Sequence, residues 1–247
     1  MAQWSKPRSL PAGLRTQLTL DRLTSRAVPL VIQSFPTPQP RTLAVHHVHT
    51  NLLVGTSAFF RRQPLPPAPW RSDEIGLVNF KIYVDWLYTG AVCSREEDPR
   101  LCEYARLARL YKLGVQLEDV TFQTAVADAF LEKVIEEVAK PAPTLPSSPC
   151  LQQAFWESAT PNPIRRLVAE IYARHGSQEQ VEALLTQMGF VPAAHNFLQA
   201  YGRALREVRM RNPGSVATLR GCQLHDHDAD EQCPLQTHSR TQRRVNG

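Results

Sequence analysis

Proline placement constrains this chain more than any other feature. Twenty of its 247 residues are proline, against eleven glycines. Many of them are gathered in three clusters: Pro36, Pro38 and Pro40; then Pro64, Pro66, Pro67 and Pro69; then Pro141, Pro143, Pro146 and Pro149. Proline has no backbone donor and disfavours helix in the residue before it, so each cluster reads as a loop or linker. Connector is the favoured reading over a proline-rich peptide ligand. The ordered elements must then fit between the clusters.

Between them the periodicity changes. Leu30-Val31-Ile32 and Leu43 to Val48 read as two short strands, with Pro36 to Pro40 as their hairpin loop. Ile75-Gly76-Leu77-Val78 is a third strand candidate. Helical spacing follows. Phe80, Tyr83, Val84 and Leu87 share a face and Thr89-Gly90 stops that helix. In the next, Asp98 is the cap, Pro99 fits the first turn, and Gly114 closes a line of Leu101, Tyr104, Ala105, Ala108 and Tyr111. Phe122, Val126, Phe130, Val134 and Val138 mark a third helix. Asn162-Pro163 opens a fourth, through Ile164, Leu167, Val168, Ile171 and Tyr172 to Gly176. Ser177 to Gln180 is a capping box for a fifth, through Val181, Leu184, Leu185 and Met188 to Gly189. The sixth holds Phe197, Leu198, Tyr201, Leu205 and Val208 before Pro213-Gly214. Strands at the front and helices behind imply an α+β class.

Charge is segregated along the same divisions. The net +5 resolves into +7 over residues 1–70, −5 over 71–202 and +3 over 203–247. The apolar-rich middle is acidic and only the ends are basic, which disfavours a nucleic-acid surface on the folded part. There is no run of about 18 apolar residues, so no membrane span is expected. No apolar stretch follows Met1 to Pro7, so a secretory signal is not expected. The five cysteines are odd in number and scattered, as suits reduced thiols inside the cell, in nucleus or cytoplasm.

Catalytic patterns are missing. The chain has no Gly-x-Gly-x-x-Gly, no phosphate-binding loop, no Gly-x-Ser-x-Gly and no Cys-x-x-Cys. Acids such as Glu96-Glu97-Asp98 and Glu136-Glu137 read as helix-start and solvated-face charges. His46, His47 and His49 have no cysteine or carboxylate close by in sequence, and 46 should point away from 47 and 49. Cys222, His225, Asp226, His227, Asp228, Cys233 and His238 offer thiol and imidazole, but with an untypical zinc spacing and no core to hold them. The expectation is no enzyme, no cofactor and no metal.

Three stretches, in order, carry a family resemblance. His47-Val48-His49-Thr50-Asn51-Leu52-Leu53-Val54-Gly55-Thr56-Ser57-Ala58-Phe59-Phe60 resembles the signature of BTB/POZ domains, matching at Val48, His49, Leu52, Leu53, Ser57, Phe59 and Phe60. Trp86-Leu87-Tyr88-Thr89-Gly90 is similar to the family's helix end. Leu107, Ala108, Leu110, Tyr111, Leu113 and Gly114 resemble its next helix. Pro161 to Leu167, and Phe190-Val191-Pro192 with Phe197-Leu198, resemble the region that follows the domain in fungal members. The resemblance covers roughly residues 28 to 205 and implies a small sheet flanked by helices, then an all-helical extension. On that basis residues 1–27 are a flexible basic arm, 28–140 the BTB/POZ domain and 141–150 a proline-rich linker. Residues 151–210 are the helical extension and 211–247 a disordered polar tail.

The resemblance implies a non-catalytic protein–protein interaction module that self-associates as a homodimer or recruits partners. A substrate adaptor for a cullin-type ubiquitin ligase is one alternative, and a nucleic-acid-associated regulator using its basic termini is another. The motif residues are expected to be mostly structural. The candidate partner contacts are Trp70 and Ser72. Many members have Glu where Ser72 stands, and a lysine or arginine where Thr50 stands. The proline cluster Pro64 to Pro69 replaces the usual segment before them.

Overall fold

A computed structural model of the chain describes residues 25–34, 41–63, 70–71, 76–95, 102–156 and 162–210. These residues are mostly helical with a small sheet built on one antiparallel strand pair, an α+β arrangement. Nine helices occur among the described residues, and they fall into two units. The first unit takes in residues 25–95 and 110–126, the second residues 102–109 and 127–210. The loop at Pro36 to Pro40, the cluster Pro64 to Pro69, Ser72, Asp98, Pro99 and Leu101 lie outside the described residues. So do most of the basic arm and the 211–247 tail with its Cys/His cluster.

In the first unit β1 (Ala27–Ser34) and β2 (Arg41–His49) pair antiparallel, with Ala27 opposite His49 and Val31 opposite Val45. Their side chains alternate as a half-buried pair requires. Val28, Leu30 and Val48 are buried, whereas Val45 is exposed. The ladder is irregular between Ile32 and Gln33, and there β3 (Trp70–Arg71) joins β1 in parallel. Helices α1 (Thr50–Thr56) and α2 (Ala58–Arg62) follow β2 directly, and α3 (Gly76–Thr89) follows β3.

The strand expected at Ile75 to Val78 is not one. Gly76, Leu77 and Val78 form the first turn of α3. A four-residue apolar run does not distinguish strand from helix, and this run is continuous with the helical stripe of Phe80, Tyr83 and Leu87. Those three are buried, while Leu77 and Val78 are exposed in the first turn of the helix. At its far end, Gly90 adopts φ +68° and stops the helix as expected.

Helix α4 (Glu103–Gln116) contributes residues 110–116 to the first unit, and α5 (Val120–Val138) contributes 120–126. Gly114 does not close α4; it lies inside it. A Cβ there would sit 2.8 Å from Gln123 Cγ and 3.2 Å from the Phe122 ring, so glycine is what lets α5 approach. The reversal occurs instead at Glu118, with φ +48°, where the Asp119 N–H reaches back to the Gly114 carbonyl at 2.9 Å.

In the second unit, residues 103–109 of α4 and 127–138 of α5 are joined by α6 (Ser148–Ala154), α7 (Pro163–His175), α8 (Gln178–Met188) and α9 (Pro192–Met210). The third proline cluster is not wholly a connector. Pro149 occupies the first turn of α6, where its missing N–H costs nothing. Pro146 is buried and its carbonyl accepts from the Tyr172 hydroxyl at 2.6 Å. The caps of α7 and α8 follow the sequence reading. Asn162 Oδ1 accepts from the Ile164 N–H at 2.9 Å, and Ser177 and Gln180 form a reciprocal capping box. The core here is Cys150, Leu151, Phe155, Leu167, Ile171 and Phe197, with the Phe197 ring 5.6 Å from Phe155 and 5.4 Å from Tyr172. Among the described residues no helix is long and apolar enough to cross a membrane.

Candidate interaction surface

The motif stretches of the first unit meet at the end of β2. The backbone N–H of His49 donates to the Tyr88 hydroxyl at 3.1 Å, and His49 Nδ1 lies 2.9 Å from the same oxygen. One hydroxyl therefore holds the last residue of β2 to the last turn of α3. Next to it, the first turn of α1 finds its acceptors in the chain before β1. The Thr50 N–H and hydroxyl both donate to the Arg26 carbonyl, at 3.1 and 2.8 Å, and the Asn51 N–H donates to Ser25 Oγ at 3.2 Å. Ser25 and Arg26, expected in the flexible basic arm, thus belong to this junction.

Val48, Leu52, Leu53 and Phe60 are buried and Phe59 is half-buried. Each full burial of this kind contributes about 1.5–3 kcal/mol. Ser57 is fully buried and has two tasks. Its Oγ accepts from the Phe60 N–H at 3.2 Å, capping α2, and donates to the Leu117 carbonyl at 2.6 Å. The first-turn N–H groups of Ala58 and Phe59 donate to the Glu118 and Leu117 carbonyls at 3.2 and 3.3 Å. Serine before two phenylalanines is thus the clip between the start of α2 and the end of α4.

Trp86, Leu87 and Tyr83 are buried against α5. The Phe122 ring lies 4.9 Å from both Tyr83 and Trp86. Tyr83 donates to Asp119 Oδ2 at 3.0 Å, while Asp119 Oδ1 accepts from the Phe122 N–H at 2.9 Å and so caps α5. Burial pushes the Asp119 carboxyl above its ordinary range, opposed by the Phe122 N–H, Thr56, Tyr83 and Arg61. Burial, reinforced by Asp119, pushes the Tyr83 phenol well up. These are structural groups inside a scaffold.

The histidines divide between the same neighbours. The His46 ring stacks on Phe80 at 6.5 Å, and burial lowers its pKa against the opposing pull of Asp85, with Lys81 lowering it further. Cys93 is pushed up by burial and Asp85, against Lys81, so it is a protonated thiol at neutral pH. Among the described residues no three His, Cys, Asp or Glu side chains gather as a metal ion would require. Trp70 sits in β3, where its backbone pairs with Ile32.

What faces outward is apolar in places. Among the described residues, Val45, Leu77, Val78 and Val120 are the exposed large apolar side chains of the first unit, and Phe190, Val191 and Leu198 those of the second. Phe190 and Val191 precede α9, and Leu198 lies within it. Comparison of the chain with protein-family models, curated proteins and solved structures finds no match in any of the three.

Proposed function

We propose that the chain is a non-catalytic protein–protein interaction module of the BTB/POZ kind, acting by self-association or by recruiting a protein partner. The observation that carries this reading is the tie between its two motif stretches. His49 and Tyr88, 39 positions apart in sequence, share the hydroxyl bond at the end of β2. The residues that resemble the family signature are spent on holding β2, α1, α2 and α3 together, which leaves recognition to the surface. Sedimentation of the full chain across the micromolar range tests the self-association branch. A binding assay with a cullin N-terminal domain tests the adaptor branch, and affinity purification tests recruitment of other proteins. A well-folded chain that stays monomeric and retains no protein partner would sink the reading.

A further inference from the structure

Strand β2 is an edge of the sheet, because the strand order is β2-β1-β3. Successive residues of such a strand turn their main-chain groups towards the partner strand and away from it in alternation. Two contacts fix the parity. The Thr50 N–H reaches the Arg26 carbonyl, on the β1 side, at 3.1 Å. The His49 N–H turns the other way and donates to the Tyr88 hydroxyl at 3.1 Å, which donates to the His47 carbonyl at 3.4 Å. His46 and Val48 therefore bond to Leu30 and Val28 of β1, whereas Val45 and His47 face outward. Pro29 agrees with this, since it sits opposite His47, where β2 needs no N–H from β1. Three outward groups have no partner among the described residues: the His47 N–H and both main-chain groups of Val45. Both residues are exposed, Val45 by 49%. The opening is bounded by Tyr88 beyond His47 and, at the other end, by Leu43, which the register skips between Ala44 and Thr42.

We propose that this window binds an extended, acidic segment of a partner protein by strand addition. Two donors and an acceptor in one line are satisfied together by another extended main chain, which needs no pocket. Charge selects the occupant. Residues 25–49, which carry both strands, include Arg26 and Arg41 and no Asp or Glu. Lys81 and Asp85 of α3, both within charge range of His46, offset one another. A second copy would bring the same sign to the same edge, whereas an acidic segment brings the opposite one. A β-branched residue beside Val45 completes the cross-strand pair.

This inference rests on the partner-recruiting branch of the proposed function and names the surface and the kind of partner. The experiment begins with amide hydrogen exchange of the full chain, in which Val45 and His47 should exchange fast and His46 and Val48 slowly. Heptapeptides are then selected on the full chain from a displayed random library and titrated as free peptides. They are expected to carry Asp or Glu and to protect the Val45 and His47 amides. Val45→Pro removes an outward donor without touching the bonds to β1, and should weaken binding at least about tenfold. Val45→Thr keeps the main chain and should weaken it less than about threefold. Methylating the peptide amides one at a time should weaken binding at alternate positions only, a result that needs no variant to fold. Slow exchange of Val45 and His47 in the free chain, a library without binders, or binding that ignores peptide methylation overturns the inference. So does a dimer that Val45→Pro dissociates, which would assign the edge to a second copy. A protein partner retained in affinity purification by parent and Val45→Pro alike overturns it while leaving the module reading intact.

Discussion

Glu137 is the residue whose replacement tests the energetics of the second unit most directly. It closes α5, and its side chain is 2% exposed. Oε1 accepts from Lys133 Nζ at 2.5 Å and Lys140 Nζ at 2.7 Å, and Oε2 accepts from the Thr144 N–H at 3.2 Å. Burial raises the pKa of this carboxyl, but the two lysines and the Thr144 N–H outweigh it and hold the value at about 2 instead of 4.5. That depression corresponds to about 3 kcal/mol favouring the folded state. Lys140 is 54% exposed, so solvent screening trims the expectation to about 2 kcal/mol. Because the folded value is the lower one, the contribution is complete above the unfolded value near 4.5. It is lost as pH falls towards 2. Glu137→Gln should therefore cost about 2 kcal/mol at neutral pH. Urea titrations followed by circular dichroism at a series of pH values provide the assay. Parent and variant curves should converge in acid, where the parent carboxyl has also lost its charge. A variant equal in stability to the parent at pH 7, or a gap that stays constant down to pH 2, would refute the assignment.

Other substitutions separate packing from polar bonding. Ser57→Ala leaves the Leu117 carbonyl and the Phe60 N–H without their buried partner, and should cost about 2–3 kcal/mol in the same urea assay. Tyr104→Phe should instead be neutral or stabilising by about 1 kcal/mol, because the Tyr104 hydroxyl is buried without a hydrogen-bond partner; a clear loss of stability would show that a bound water satisfies it. Gly189→Ala, at φ +66° and ψ −162°, should cost about 1–3 kcal/mol despite open space around it. Gly55→Ala, within α1 and equally open, should gain about 0.5–1 kcal/mol, so a pair of thermal melts checks both glycines.

How much of this was legible in advance depends on whether the signal was local. Asn162-Pro163 and Ser177 to Gln180 announced α7 and α8 because a cap is satisfied within three or four residues. Gly90 and Gly189 stopped their helices for the same local reason, a positive φ. Gly114 looked identical in sequence and was misread, because its cause is the approach of Gln123 and Phe122 from the next helix. Ile75 to Val78 failed similarly. Four apolar residues contain too little periodicity, and the buried partners of Phe80 and Tyr83 decided the issue in favour of α3. Helix α6 was hidden by the rule that made prolines breakers, which does not hold in a first turn.

The candidate surface was harder to read than the scaffold for a related reason. A buried motif residue is constrained by several neighbours at once, as Ser57 is by Phe60 and Leu117. Such constraints leave a recognisable combination of residue types in sequence. An exposed residue such as Phe190 or Leu198 is constrained only by what covers it. Taken one at a time, surface leucines and valines are ordinary and need no explanation. On α9, Leu198 lies one turn beyond the buried Ala194, at the edge of the stripe that Ala194 and Phe197 send into the core. Helical spacing in the sequence therefore reports the core that α9 joins, whereas what covers its edge leaves no period of its own.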